Sequence, residues 1–193
     1  MLPVVRQTLN MSCHVWAPHV EQVSEFLLYK LWDLGLKVGQ AVRSVAETIR
    51  LAKTDLSVQT SLVEARLLWG SPDLFAQLRR SFAREITAGR GAAFAEAKLA
   101  ERDQRHQRMG DSRFLLEPNI KEGKGGLRDL QTLLWISRFT EPGDDPAALV
   151  RQGLLTRQSL IRFLRSRRFL WTVRCHLHYL TGRAEDRLTF DLQ

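Results

Sequence analysis

At 193 residues the chain can bury one sizeable core or two small ones. Hydrophobic residues at 44% and charged residues at 26% suit a water-facing globular protein, and uncharged apolar runs such as Phe26–Tyr29 are far too short to span a bilayer. The formal charge of +8 directs attention to anionic ligands. Its arginines, however, are interleaved with acids, as in Ala97–Arg108, so nucleotide phosphates are a less demanding partner than a nucleic-acid groove.

The opening stretch, residues 1–20, has no periodicity, and Pro3 and Pro18 interrupt it; we expect it to be irregular. It also lacks the apolar core and cleavage site of a signal peptide. Cys13 and Cys175 stand far apart without metal-type spacing and read as free thiols of a reducing cytoplasm. From Glu21 the pattern becomes helical: Phe26, Leu27, Leu31 and Leu34 recur at helical spacing and Gly35 stops the run. Loose alternation then predicts a strand over Lys37–Arg43. One strand cannot stand alone, so it pairs within the first twenty residues or belongs to a sheet not encoded here.

Helices fill the remainder. Ser44 is placed to cap a helix over Ala46–Ala52. Asp55 is placed to cap the next, whose apolar stripe Leu56, Leu62, Val63, Leu67 and Leu68 runs to Gly70. Ser71-Pro72 is a cap followed by proline at the first helical position, with Leu74, Phe75, Leu78 and Phe82 on one face. Ala92–Met109, rich in Ala, Glu, Lys and Arg, predicts a long exposed helix. Leu127–Phe139 is amphipathic, Glu141–Pro146 is a turn, and Ala147–Gln152 predicts a short helix. Thr156 then opens a long helix to about Thr181, stopped by Gly182.

Between these helices lies a loop, Gly110–Gly126, holding the segment EPNIKEGKGGLRDLQ. Gly123, Gly125 and Gly126 permit unusual backbone angles and close approach of a ligand. The helix after Gly126 would aim free N–H groups at the same place, with Lys121, Lys124 and Arg128 nearby; a triphosphate fits such a setting. Asn119 and Asp129 would fix the loop through hydrogen bonds and a helix cap, with Glu117 and Glu122 as further structuring groups. No G-x-x-x-x-G-K-[ST] motif occurs. A glycine-rich connector held by salt bridges explains the same composition.

The string LEPNIKEGKGGLRDLQTLLWISRF, with LLYKLWDLGLKVGQAVRSV and DLSVQTSLVEARLLWGSPDLF upstream and FLWTVRCHLHYLTGRAEDRLTFDLQ downstream, resembles the PII uridylyltransferase and uridylyl-removing enzyme family. The resemblance covers roughly Glu21–Gln193. It implies a mainly α fold: a helical bundle following a remnant strand of an α/β polymerase-β-like nucleotidyltransferase sheet. It implies Mg²⁺ and UTP for the intact enzyme, transfer of UMP to a tyrosine of the PII signalling protein in nitrogen regulation, and further HD and ACT domains. On that reading, residues 1–20 are unlike the family and 21–55 are what remains of the nucleotidyltransferase domain. Residues 56–186 form the helical domain, and 187–193 open another.

The sequence departs from the family where the resemblance implies an Asp-x-Asp pair, since no acidic residue precedes Glu21. We therefore expect the chain to hold neither Mg²⁺ nor UTP alone, to be inactive in isolation, and to depend on the catalytic, HD and ACT parts. A non-catalytic module docking PII or those neighbouring domains is the alternative. Gln40 stands where family members commonly have histidine. Glu64 and Arg66, on the polar side of their expected helix, could face a nucleotide or form a solvated pair. His176 and His178 point apart on a helix and make no metal pair. Trp171 and Tyr179 read as core or interface residues. A hydrophobic face left without its sheet implies poor solubility or self-association.

Overall fold

The computed structural model describes residues 6–10, 17–36, 38–110 and 115–193. It is mainly helical, as the sequence predicts, and it divides into two compact units, Leu2–Ala88 and Gly89–Gln193.

In the first unit, β1 (Arg6–Asn10) is followed by α1 (Ala17–Asp33) and β2 (Gly39–Arg43). The expectation of irregular backbone over residues 1–20 is corrected here. Arg6–Asn10 pairs in parallel with Gly39–Arg43, Arg6 opposite Gly39, and α1 begins before Pro18. A proline in the first helical turn costs no hydrogen bond, because N–H groups there have no intrahelical acceptor. The strand therefore takes a partner from the first twenty residues. Lys37 lies outside the described residues, as do Pro3 and Cys13, and the side chain of Gln40 is not described.

The caps fall where the sequence placed them. Ser44 and Glu47 form a reciprocal capping box at the start of α2 (Val45–Ala52), with Glu47 N–H donating to Ser44 Oγ at 3.2 Å and Ser44 N–H to Glu47 Oε2 at 2.8 Å. The Asp55 carboxylate accepts from the N–H groups of Ser57 (2.7 Å) and Val58 (3.1 Å) at the start of α3 (Leu56–Val63). Asp55 is thus the cap that its position in the sequence predicts. Ser71 caps α4 (Pro72–Phe82), which continues as a π-helical turn over Ala83–Thr87 that the sequence did not announce. Ile49, Ala52, Leu62, Leu78, Phe82 and Ile86 close the core of this unit.

One predicted helix is too long. α3 stops at Val63 instead of reaching Gly70, and Leu67, Leu68 and Trp69 are exposed, Trp69 by 91%. Thr60 and Ser61 turn their hydroxyls back onto the carbonyls of Leu56 and Ser57, which weakens a helix locally. Gly70 then takes φ 116°, outside helical space.

The second unit holds α5 (Gly91–Arg108), α6 (Leu127–Thr140), α7 (Ala148–Arg151) and α8 (Arg157–Thr181). α5 packs along α6, and α7 and α8 pack on α6 and on each other. Leu134, Leu149 and Phe163 form a small core covered by Leu130, Leu133, Leu155 and Leu160. α5 is not the fully exposed helix its composition suggests: it buries Phe94, Lys98 and His106. Phe94 stacks on Phe139 with ring centres 3.9 Å apart, so one polar-looking helix carries a single inward edge. Thr156 caps α8, and Gly182 ends it in the left-handed region at φ 61°.

Candidate functional site

The segment Glu117–Asp129 folds back on itself before entering α6. The Asn119 side chain accepts from Lys121 N–H (3.0 Å) and Glu122 N–H (2.7 Å), closing a tight turn. Gly123 N–H then donates to Asn119 O, Leu127 N–H to Ile120 O and Arg128 N–H to Lys121 O, at 2.8–3.0 Å. These bonds correct one expectation. The N–H groups at the start of α6 are not free for an anion, because the carbonyls of the preceding turn already accept from them.

The glycines follow from the same folding. A Cβ on Gly126 would sit 2.8–2.9 Å from three carbonyl oxygens, those of Ile120, Lys121 and Gly123, and one on Gly123 would sit 2.6 Å from Asn119 O. Gly125 has φ 80°. Gly123 and Gly126 are required by the chain's own backbone, not by a ligand approaching it, and Gly125 is required by its dihedral.

Around this turn the charged side chains interlock. Asp129, at the third position of α6, accepts from Gly125 N–H at 2.7 Å, from Arg105 Nη2 at 2.5 Å and pairs with His106 Nε2 at 2.9 Å. Glu122 accepts from Arg128 Nη2 at 3.1 Å, with Lys121 Nζ at 3.5 Å and Arg105 Nε at 3.7 Å. Burial pushes the Glu122 carboxyl up, but Arg128, Lys121 and Arg105 together outweigh it and hold it below the ordinary glutamate range.

A second node lies beside the first. Asp186 accepts from Arg174 Nε at 2.6 Å, pairs with His178 Nε2 at 3.1 Å, and lies 3.4 Å from Lys121 Nζ. Burial raises this carboxyl too, and Arg174, His178 and Lys121 again bring it below its ordinary value. The segment carrying Asp186 runs antiparallel to the turn. Ile120 N–H donates to Asp186 O, Leu188 N–H to Pro118 O, and Phe190 N–H to the Glu117 carboxylate. Residues 187–193 thus close onto the loop and carry a 3₁₀ turn over Phe190–Leu192. Behind the turn, Lys98 Nζ is buried 4.4 Å above the Trp135 ring and 2.6 Å from Glu101. The Arg128 guanidinium lies 5.6 Å from the same ring.

The loop therefore brings together Glu117, Asn119, Lys121, Glu122, Gly123, Gly125, Gly126, Arg128 and Asp129, all of which the sequence singled out; Lys124 sits in the same turn and is engaged as well. Sequence reasoning missed Arg105, His106, Arg174, His178 and Asp186, which complete the network. Arg105 and His106 lie on α5, Arg174 and His178 on α8 and Asp186 in the segment after it, and linear spacing does not show that these places meet the loop. His176 is exposed while His178 turns to Asp186, so the two do not converge. Glu64 ends α3 and Arg66 lies beyond it, both exposed, so neither occupies the polar side of a helix as expected.

Four cations, Lys121, Arg128, Arg105 and Arg174, meet three carboxylates, Glu122, Asp129 and Asp186. The cluster keeps a positive excess, and the Lys121 and Arg128 side chains retain 27% and 33% exposure. Its acids are turned onto cations, and no group of three or more His, Cys, Asp or Glu converges among the described residues. No helix among those residues is long and apolar enough to cross a membrane.

A family model described as GlnD PII-uridylyltransferase matches residues 93–193, which include the whole loop and both nodes. Bifunctional uridylyltransferase/uridylyl-removing enzymes of Azospirillum brasilense and Rhodospirillum rubrum are each 57% identical over 176 residues, and that of Phenylobacterium zucineum 49% over 175. Each alignment covers 91% of this chain and 19% of the relative. The chain thus spans about a fifth of the length of the curated relatives it matches. No solved structure matches it significantly.

Proposed function

Because the chain belongs to the GlnD PII-uridylyltransferase family, we propose that it is the helical, accessory part of a cytoplasmic bifunctional uridylyltransferase/uridylyl-removing enzyme. In that enzyme UMP passes from UTP to a tyrosine of the PII protein. This chain's share is to present the loop Glu117–Arg128 as a rigid, electropositive wall of the nucleotide cleft. The observation that carries the reading is the placement of Lys121 and Arg128: partly exposed, and held in fixed positions by Glu122 within a cluster that keeps excess positive charge. A wall held in place before the nucleotide arrives loses little freedom on meeting a phosphate.

When bound, Mg²⁺ would supply positive charge to the nucleotide phosphates, and Glu122, Asp129 and Asp186, each turned onto a cation, are not placed to hold it. The loop's part is to attract and orient the phosphate chain while Asp129, Arg105 and His106 prevent the turn from shifting. The chain alone is inactive on this proposal, and uridylylation of PII by the isolated 193 residues with UTP and Mg²⁺ would overturn that clause.

The experiment is kinetic. In a family enzyme containing this segment, Lys121→Ala and Arg128→Ala should each raise KM for UTP about tenfold, with a smaller change in kcat. Variants that melt lower but keep the parental KM would reject phosphate contact. The pairing of every acid in the cluster supports a second reading, a docking module that never meets UTP. Calorimetric titration of the chain with UTP and Mg²⁺, and separately with PII, separates the two.

A further inference from the structure

α8 has 25 residues, about 37 Å at 1.5 Å per residue, yet it buries only Phe163, Arg174 and Leu177. Its outer side is a continuous ridge. Ile161, Leu164, Arg168, Trp171, Cys175 and Tyr179 follow one another at intervals of three or four residues, and all six are exposed. Tyr179 is 92% exposed and Ile161 53%. Phe169 and Leu180 are also exposed, on a different face of the helix. Arginines at 157, 162, 165, 167, 168 and 174 share the helix with no aspartate or glutamate at all.

We propose that this ridge is a docking surface for an acidic amphipathic helix on a protein partner. Three features select that occupant. The three-and-four spacing is the seam along which two helices pack. Arg174 turns inward to Asp186, but Arg165, Arg167 and Arg168, beside or within the seam and in no ion pair among the described residues, ask for a partner whose flanking positions are Glu or Asp. The aliphatic members, Ile161 and Leu164, gain from contact with another apolar stripe but gain nothing from a phosphate backbone, which would engage the arginines and leave them in water. The inference stands apart from phosphate contact by Lys121 and Arg128, and its test reads no activity.

The probe is a labelled helical peptide of about three heptads, with leucine at the seam and glutamate on both sides of it. Its binding to the 193-residue chain is followed by fluorescence anisotropy. We expect saturable binding that weakens about tenfold or more for Arg165→Glu/Arg168→Glu and for Ile161→Ser/Tyr179→Ser. All four positions are exposed, so circular dichroism and Tm should stay at parental values. Ile161→Ser alone serves if a double variant melts low. The proposal is overturned by absence of binding, or by equal binding of a lysine-flanked peptide or of a glutamate peptide with serine at the seam. Tighter binding to duplex DNA or to phosphatidylglycerol vesicles would overturn it, as would a dimer that excludes the peptide in sedimentation.

Discussion

Replacing Asp129 by alanine is the sharpest probe of the charged turn. Its carboxylate joins three elements at once, taking a hydrogen bond from Gly125 N–H, another from Arg105 and a contact from His106. The Arg105 and His106 side chains are 11% and 8% exposed, so water cannot fully replace what they lose. Breaking a buried pair from one side costs about 3–5 kcal/mol, and the 18% exposure of Asp129 places this case at the lower end, about 3 kcal/mol. For a chain of this size each kcal/mol moves Tm by about 2–4 °C, so Asp129→Ala should melt about 6–12 °C below the parent by scanning calorimetry. Asp129→Asn keeps an acceptor for Gly125 while losing the charge that Arg105 faces, and should fall between. An Asp129→Ala variant melting within about 2 °C of the parent would refute the reasoning, because the network could then not be what holds the turn.

Glycine replacements should separate two reasons for glycine. Gly126→Ala forces a methyl group against three backbone oxygens and should cost about 3 kcal/mol or more, whereas Gly153→Ala, at φ 71° in open space, should cost about 1 kcal/mol; urea midpoints compare them. Phe139→Ala removes a fully buried ring stacked on Phe94 and should cost about 3–5 kcal/mol by the same measurement. Acid should weaken the second unit. Glu122 and Asp186 titrate below their ordinary values when folded, so the unfolded chain takes up protons first and stability falls as pH drops below about 5. A urea midpoint at about pH 3.5 that equals the one at about pH 6 would contradict this, and Asp186→Asn should flatten the slope.

The helices and their caps were legible because their causes are local. Ser44, Asp55, Ser71 and Thr156 each bond within three residues of themselves, and a linear reading sees that range. The composition of the charged turn was legible for the same reason. Its purpose was not: free N–H groups and ligand-facing glycines were expected, and the carbonyls that occupy both places become visible only when residues 119–123 fold over 126–128. Arg105, His106, Arg174 and Asp186 reach the turn from other helices and from the segment beyond α8, so no spacing rule announced them. The overlong α3 failed on competition: leucines at 67 and 68 extend the apolar period, but Thr60 and Ser61 back-bond to the helix and Gly70 leaves it.

The net charge of +8 divides into two populations with opposite meanings. Arg105 and Arg174 point inward and are matched by Asp129 and Asp186, so removing either strands a partly buried acid and shows first as lost stability. Arg162, Arg165 and Arg168 point outward from a helix without acids, and no ion pair among the described residues engages them. Such exposed charges add little to folding, so reversing them should leave the melt unchanged and alter only what the chain associates with. A scan of these five arginines to alanine should therefore fall into two groups, one moving Tm and the other moving binding. An arginine of α8 that moved both would mean that its face is packed within the chain, and would remove the basis for an external partner.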